Sequence, residues 1–345
     1  MRKSLGIVLI VLMMLLTGCQ SSAKSTAFEF GEDLVFIEKD GNYTIDLENS
    51  SDVVKEKYEQ LSKTLDKKEV LDDIVAVTTT TANILSEIGI NLTGAPESSG
   101  LSKDVSSKQY SLEETNKIDK SMVLNVGSAL SPNIEAIVEL NPMLVLYSDA
   151  MPKTDFIKNI EAADIKADSL GQSDYIDMFI LLQRINELTE FKNDVAVSKM
   201  NEMVSELKET SEMVSKAESS GKTVAILQVL EGTIRVNNSD TVLGGITAAL
   251  DLENVFASSE NGELNKEQLL SLNPDYIIYY SHGMGASAIS IFEEELNASD
   301  SVYRELDALK NKNVFQVAED DLVFSASVDL NIIKIIKMLA MKFYE

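Results

Sequence analysis

One histidine stands in the whole chain, His282, and it follows the second of two copies of a repeated phrase. The first copy runs Asn133-Ile-Glu-Ala-Ile-Val-Glu-Leu-Asn-Pro-Met-Leu-Val-Leu-Tyr147 and the second Asn265-Lys-Glu-Gln-Leu-Leu-Ser-Leu-Asn-Pro-Asp-Tyr-Ile-Ile-Tyr279. Each spells a short helix, an Asn-Pro break and an apolar run suited to a buried parallel strand. In open α/β sheets, ligands lie beyond the carboxyl ends of such strands. Ser281-His282-Gly283-Met284 sits just past that end. Neutral imidazole is a strong metal donor, and burial in an apolar cleft favours the neutral form. The plainer alternative is a structural histidine in a loop. A zinc or manganese cage is disfavoured, because such sites gather several histidines with carboxylates.

Other residues could meet a ligand or a partner. Thr79, Thr80 and Thr81 occupy the turn from the strand Ile74-Val75-Ala76-Val77 into a helix starting at Ala82. Hydroxyls there either cap the helix or join its free amides in holding an anion. Arg235, one of four arginines, is a candidate cation for an acidic ligand group. Glu135 and Glu267 each stand six residues before the Asn of their Asn-Pro, so the repeat places them equivalently. Each taken alone is a solvated acid favoured by a helix start. Enzyme signatures are missing: there is no Gly-x-Ser-x-Gly, phosphate loop or His-Glu-x-x-His, so the chain is read as a non-enzyme.

The elements that must position these residues begin after a leader. Arg2 and Lys3 precede an apolar run from Leu5 to Leu16, too short to span a bilayer and shaped like a secretion signal. Leu16-Thr17-Gly18-Cys19 resembles a bacterial lipobox, which implies cleavage before Cys19 and lipidation of its thiol; the alternative is an ordinary signal peptide. As the only cysteine, Cys19 excludes disulfides and thiolate metal sites. The formal net charge of −26 becomes −28 once the leader's two cations are removed, which argues against nucleic acid. Five segments are expected: a signal peptide (1–18), a lipid-proximal linker and extension (19–69), an N-terminal lobe (70–174), a helical pair (175–220) and a C-terminal lobe (221–345).

Within them, Phe28–Ile37 and Tyr43–Leu47 flank Asp40-Gly41, a hairpin signal, and Val53–Leu65 has helical spacing. In the helical pair, Val197, Met200, Met203, Leu207 and Met213 mark a long helix with core-facing methionines, able to brace two lobes. Lys222–Gln228 and Thr233–Val236 read as strands, and Leu330–Phe343 as a terminal amphipathic helix. Strand–helix alternation in both halves gives an α/β fold with parallel sheets.

These features together resemble the solute-binding lipoproteins of bacterial ABC importers, of the rigid-hinge class that serves haem, siderophores and cobalamin. The resemblance covers about residues 70 to 345. It implies two Rossmann-like lobes with central parallel sheets, a long bracing helix and a ligand cleft between the lobes. Ser131-Pro132-Asn133-Ile134-Glu135 and Ser281-His282-Gly283-Met284, followed by Phe292-Glu293-Glu294-Glu295, are most similar to Gram-positive haem receptors. That likeness makes His282 an axial iron ligand and haem a transported ligand rather than a permanent cofactor. The opposite axial ligand in those receptors is a methionine before the Ser-Pro, where this chain has Leu130. Met151 and Tyr110 are the substitute donors, and Met284 joins the cleft list. The resemblance further implies that Glu135 and Glu267 meet arginines of a permease dimer. The protein would then be a lipid-anchored monomer on the outer face of a Gram-positive-type cell membrane. Alternatives are a ferric siderophore or cobalamin receptor of the same fold, or a lipid-tethered adhesion module.

Overall fold

The computed structural model describes residues 26–101, 123–148, 155–217, 221–281, 286–317 and 328–344. Cys19, Tyr110, Met151, His282 and Met284 lie outside the described residues.

The chain opens with an antiparallel meander, β1 (Thr26–Phe30), β2 (Leu34–Lys39) and β3 (Asn42–Ile45). The Asp40-Gly41 turn has φ of +54° and +80°, as a two-residue hairpin with primed geometry requires. The run from Phe28 to Ile37, expected as one strand, is broken at Gly31 with φ +62°. A Cβ there would meet Ala249 Cβ and the Tyr175 hydroxyl at 3.3 Å, so only glycine fits without strain. Helix α1 (Asp52–Thr64) follows, with Ser51 capping Val54 N.

The first lobe comprises β4 (Ile74–Ala76), α2 (Thr79–Glu87), β5 (Leu92–Ala95), β6 (Leu124–Asn125), β7 (Gly127–Ser128), β8 (Ser131–Pro132), α3 (Ile134–Leu140), β9 (Leu144–Tyr147), α4 (Asp155–Ala162) and β10 (Ala167–Ser169). Its sheet is wholly parallel in the order β10-β9-β4-β5-β6, with β7 and β8 forming a separate hairpin. Strand β10 forms one edge of this sheet.

Two helices follow, α5 (Tyr175–Leu188) and α6 (Asp194–Lys216), the second 23 residues and so about 34 Å long. Met200 and Met203 on α6 are buried, as their spacing predicts.

The second lobe comprises β11 (Thr223–Leu230), β12 (Thr233–Val236), α7 (Val242–Ala249), β13 (Glu253–Asn254), α8 (Lys266–Leu272), β14 (Tyr276–Tyr280), α9 (Ala286–Asn297), α10 (Asp307–Lys310), β15 (Val314–Gln316) and α11 (Ile332–Tyr344). The sheet order is β12-β11-β14-β15, parallel apart from the edge strand β12. A 3-10 turn over Val302–Glu305 precedes α10, and the two stay separate because Leu306 adopts extended backbone with its side chain in the core.

The repeated phrase folds the same way twice. Asn133 and Asn265 cap α3 and α8, accepting from Ala136 N at 3.1 Å and Gln268 N at 3.0 Å. Asn141 and Asn273 end the same helices at φ +47° and +44°, a conformation asparagine tolerates and most residues do not. The strand starts are clamped by a carboxylate swapped between lobes. Asp73 accepts from Met143 N at 3.0 Å, whereas Asp275 accepts from Thr223 N at 2.9 Å at the equivalent register. Asn141→Ala should lower stability by about 1 kcal/mol and Asn141→Gly should not. Urea unfolding of the two variants checks this.

One apolar core joins the meander, α1, the α5–α6 pair, α11 and one face of both lobe sheets. Phe36 meets Phe179 edge to face at 5.0 Å, and Phe30 meets Tyr175 at 5.9 Å. Polar ties reinforce this docking: Ile45 N donates to Gln183 Oε1 at 3.0 Å, Tyr43 N to Asn201 Oδ1 at 2.8 Å, and Arg184 Nε to Leu65 O at 2.8 Å. Lys57 reaches Asp177 at 2.7 Å and Asp174 at 2.9 Å. Burial alone would lower the Lys57 pKa, but Asp177 and Asp174 outweigh it and hold it above the ordinary lysine value. A raised folded-state pKa means the stabilisation is complete below the unfolded lysine pKa, about 10.4, and fades as pH rises through the folded value. The stability gap between wild type and Lys57→Met should therefore narrow above about pH 10.4, as urea midpoints across that range would register.

Candidate ligand-binding site

Strand order locates the crevice in each lobe. The first sheet builds outward from β4, with β5 and β6 on one side and β9 and β10 on the other. The second builds outward from β11, with β12 on one side and β14 and β15 on the other. The order reverses at the carboxyl ends of β4 and β9, and again at those of β11 and β14, where doubly wound sheets bind ligands.

At the first of these, Thr78 rather than a later threonine caps α2, its hydroxyl accepting from Thr81 N at 3.3 Å. Thr81, expected in the cleft, is instead fully buried; its hydroxyl accepts from Thr78 at 2.7 Å and donates to Gln172 Oε1 at 3.0 Å. Helical periodicity turns it inward with Ala82 and Leu85. Thr79 and Thr80 remain half-buried, and the Thr79 hydroxyl lies 2.5 Å from that of Ser98. Beside them runs a groove of about 620 Å³ lined by Glu97, Ser98, Asn125, Gly127, Ser128 and Asn133.

Leu130 is at the tip of the β7–β8 hairpin and 90% exposed. The hairpin depends on Gly127 at φ +89°, where a Cβ would stand 2.6 Å from Ser131 O. Two-residue strands carry no periodicity, so Gly127 is the one residue in the sequence that marks this hairpin.

In the second lobe, β14 ends at Tyr280, and the hydroxyl of the next residue, Ser281, donates to Val229 O on β11 at 2.6 Å. That bond joins the two strands of the crevice one residue before His282. Arg235 is exposed on β12 and pairs in register with Gln228, which pairs in turn with Tyr280. The Tyr280 hydroxyl donates to Asn237 Oδ1 at 2.6 Å. Three adjacent strands thus carry a polar row near their carboxyl ends, and Gln228 is the member that sequence reading missed.

Glu135 and Glu267 are both exposed, each the second residue of its helix. A helix that returns the chain to the start of a parallel strand runs antiparallel to it, so both acids lie at the strands' carboxyl edge. Among the described residues no group of three or more His, Cys, Asp or Glu could hold a metal ion, and no helix is long and apolar enough to cross a membrane.

Residues 74–320 match the periplasmic binding protein family. The chain belongs to that family, whose members bind solutes for transport and are not enzymes. It is 25% identical over 214 residues, 60% of its length, to the high-affinity heme uptake system protein IsdE of Staphylococcus aureus strain MRSA252, of which 70% is covered. An ABC transporter substrate-binding protein from Listeria monocytogenes EGD-e superposes with TM-score 0.58 at 26% identity, over 78% of this chain and 97% of that one. The S. aureus IsdE structure complexed with heme gives TM-score 0.56 at 22% identity, over 79% and 99%, a likeness of fold.

Proposed function

We propose that the protein is a lipid-anchored receptor that captures haem outside the cell and delivers it to an ABC permease dimer. One observation carries the reading: β14 ends at the second lobe's crevice two residues before His282, the only histidine of the chain. The likeness to the S. aureus heme uptake protein supports it.

In this reading His282 is the axial iron ligand. Leu130 covers porphyrin apolar surface, and Thr79, Thr80 and Arg235 receive the propionates, as charge-assisted hydrogen bonds would. Leucine cannot coordinate iron, so the sixth position is open or is filled by Met151 or Tyr110, and Met284 is a further cleft residue. Cys19 carries the lipid. Glu135 and Glu267 are the permease contacts.

The exposed Leu130 also suits cobalamin, which accepts one imidazole ligand. Titration of purified residues 20–345 separates the readings. A saturable Soret change with hemin is expected. No such change, together with tyrosine fluorescence quenching by cobalamin or a ferric siderophore, would transfer the assignment to that ligand.

A further inference from the structure

The extension upstream of the family match is connected to the candidate ligand turn by two hydrogen-bond networks that meet at the Gln172–Ser173 peptide. The first begins on α1, where Lys57 donates to Asp177 at 2.7 Å and to the Ser173 hydroxyl at 3.0 Å. Asp177 accepts from Ser173 N at 2.7 Å and closes a capping box with Asp174 at the start of α5. The next residue back, Gln172, is fully buried. Its backbone oxygen accepts from Val328 N at 2.9 Å, and its amide reaches back to Val328 O at 3.5 Å. Its side-chain oxygen takes the Thr81 hydroxyl proton at 3.0 Å, and Thr81 in turn accepts from Thr78 at 2.7 Å.

Residues 170–174 lead from the first lobe into α5, and Val328 leads into α11, so Gln172 clips both connecting segments together and to the ligand turn. Burying an amide this deeply is costly unless each polar atom is satisfied in one geometry. The segment therefore has a single well-defined position. Lys57 enforces it from the opposite side.

We infer that Gln172 is a positioning residue for the ligand site, held in register by the extension through Lys57, so that the extension is part of the binding apparatus. Gln172 touches no ligand; it sets where Thr78, Thr79 and Thr80 stand. The inference rests on the proposal that this turn meets the ligand.

Two readouts test it independently of one another. Hydrogen exchange needs no ligand: in full-length Gln172→Met, amides of residues 78–84 should exchange about tenfold faster while those of β11 and β14 stay as in wild type. Thr81→Val should reproduce this, Thr81→Ser should restore slow exchange, and Lys57→Met should give a smaller change in the same amides. Uniform acceleration across the chain, or unchanged exchange at 78–84, would overturn the inference. Hemin dissociation should be about tenfold faster in Gln172→Met and Thr81→Val and normal in Thr81→Ser. Variants that show the exchange pattern while the wild type binds no hemin would sink the haem assignment alone. Variants with fast exchange but unaltered hemin dissociation would remove the ligand-positioning role.

Discussion

His282→Ala should weaken hemin binding by at least about 100-fold and abolish the Soret shift. Losing a group that merely orients a metal ligand costs 10- to 100-fold, and here the ligand itself is lost, with no other histidine or thiolate among the described residues to replace it. The residue comes two positions after the end of β14 and is polar within a Ser-His-Gly sequence. The unfolding free energy of His282→Ala should stay within about 0.5 kcal/mol of wild type. Leu130→Met gives the complementary result. Its thioether would rise from a tip that is already 90% exposed, and a second axial donor should tighten binding and move the spectrum toward that of six-coordinate haem. Undiminished hemin binding by His282→Ala would end its role as ligand.

Reversing charge at both repeat glutamates should reduce haem uptake by cells more than tenfold while leaving hemin affinity unchanged. Glu135 and Glu267 are exposed, occur at the same position of equivalent helices and lie at the carboxyl edge of their sheets. Each contributes through the helix dipole only about 0.3–1 kcal/mol to stability, so Glu135→Arg with Glu267→Arg should still fold. Like charges brought together at an interface cost several kcal/mol, and the two lobes would each present one. Either single variant should fall between wild type and the double. Uptake that survives the double reversal at normal surface expression would remove the docking role.

Much of the fold was legible because both periods were clean. Apolar runs at Ile277 and Val145, and helical spacing at Met200 and Met203, mark strands and helix where they are found. Asn141 and Asn273 marked helix ends, although the left-handed backbone that makes asparagine suitable was not readable as such. The site was legible only in part. Thr81 was placed in the cleft because a hydroxyl run names a turn without saying which member faces inward; one helical turn decides that. Gln172 and Gln228 were invisible because an amide has no periodicity, and its value comes from strands and connections brought together only on folding.

The meander and α1 have one more consequence, and it concerns the order in which the chain can be completed. Their partners on α5 and α6 lie about 120 to 160 residues downstream, as in the bonds from Lys57 to Asp177 and from Tyr43 N to Asn201 Oδ1. At roughly 5–20 residues per second, the first segment to be synthesised has no docking surface for on the order of ten to thirty seconds. Its apolar face, with Phe36 and Val54, must remain unburied for that time. The meander and α1 then close only once α5 and α6 are made, and a ribosome-stalled or truncated chain ending before α6 would expose them to chaperones and proteases.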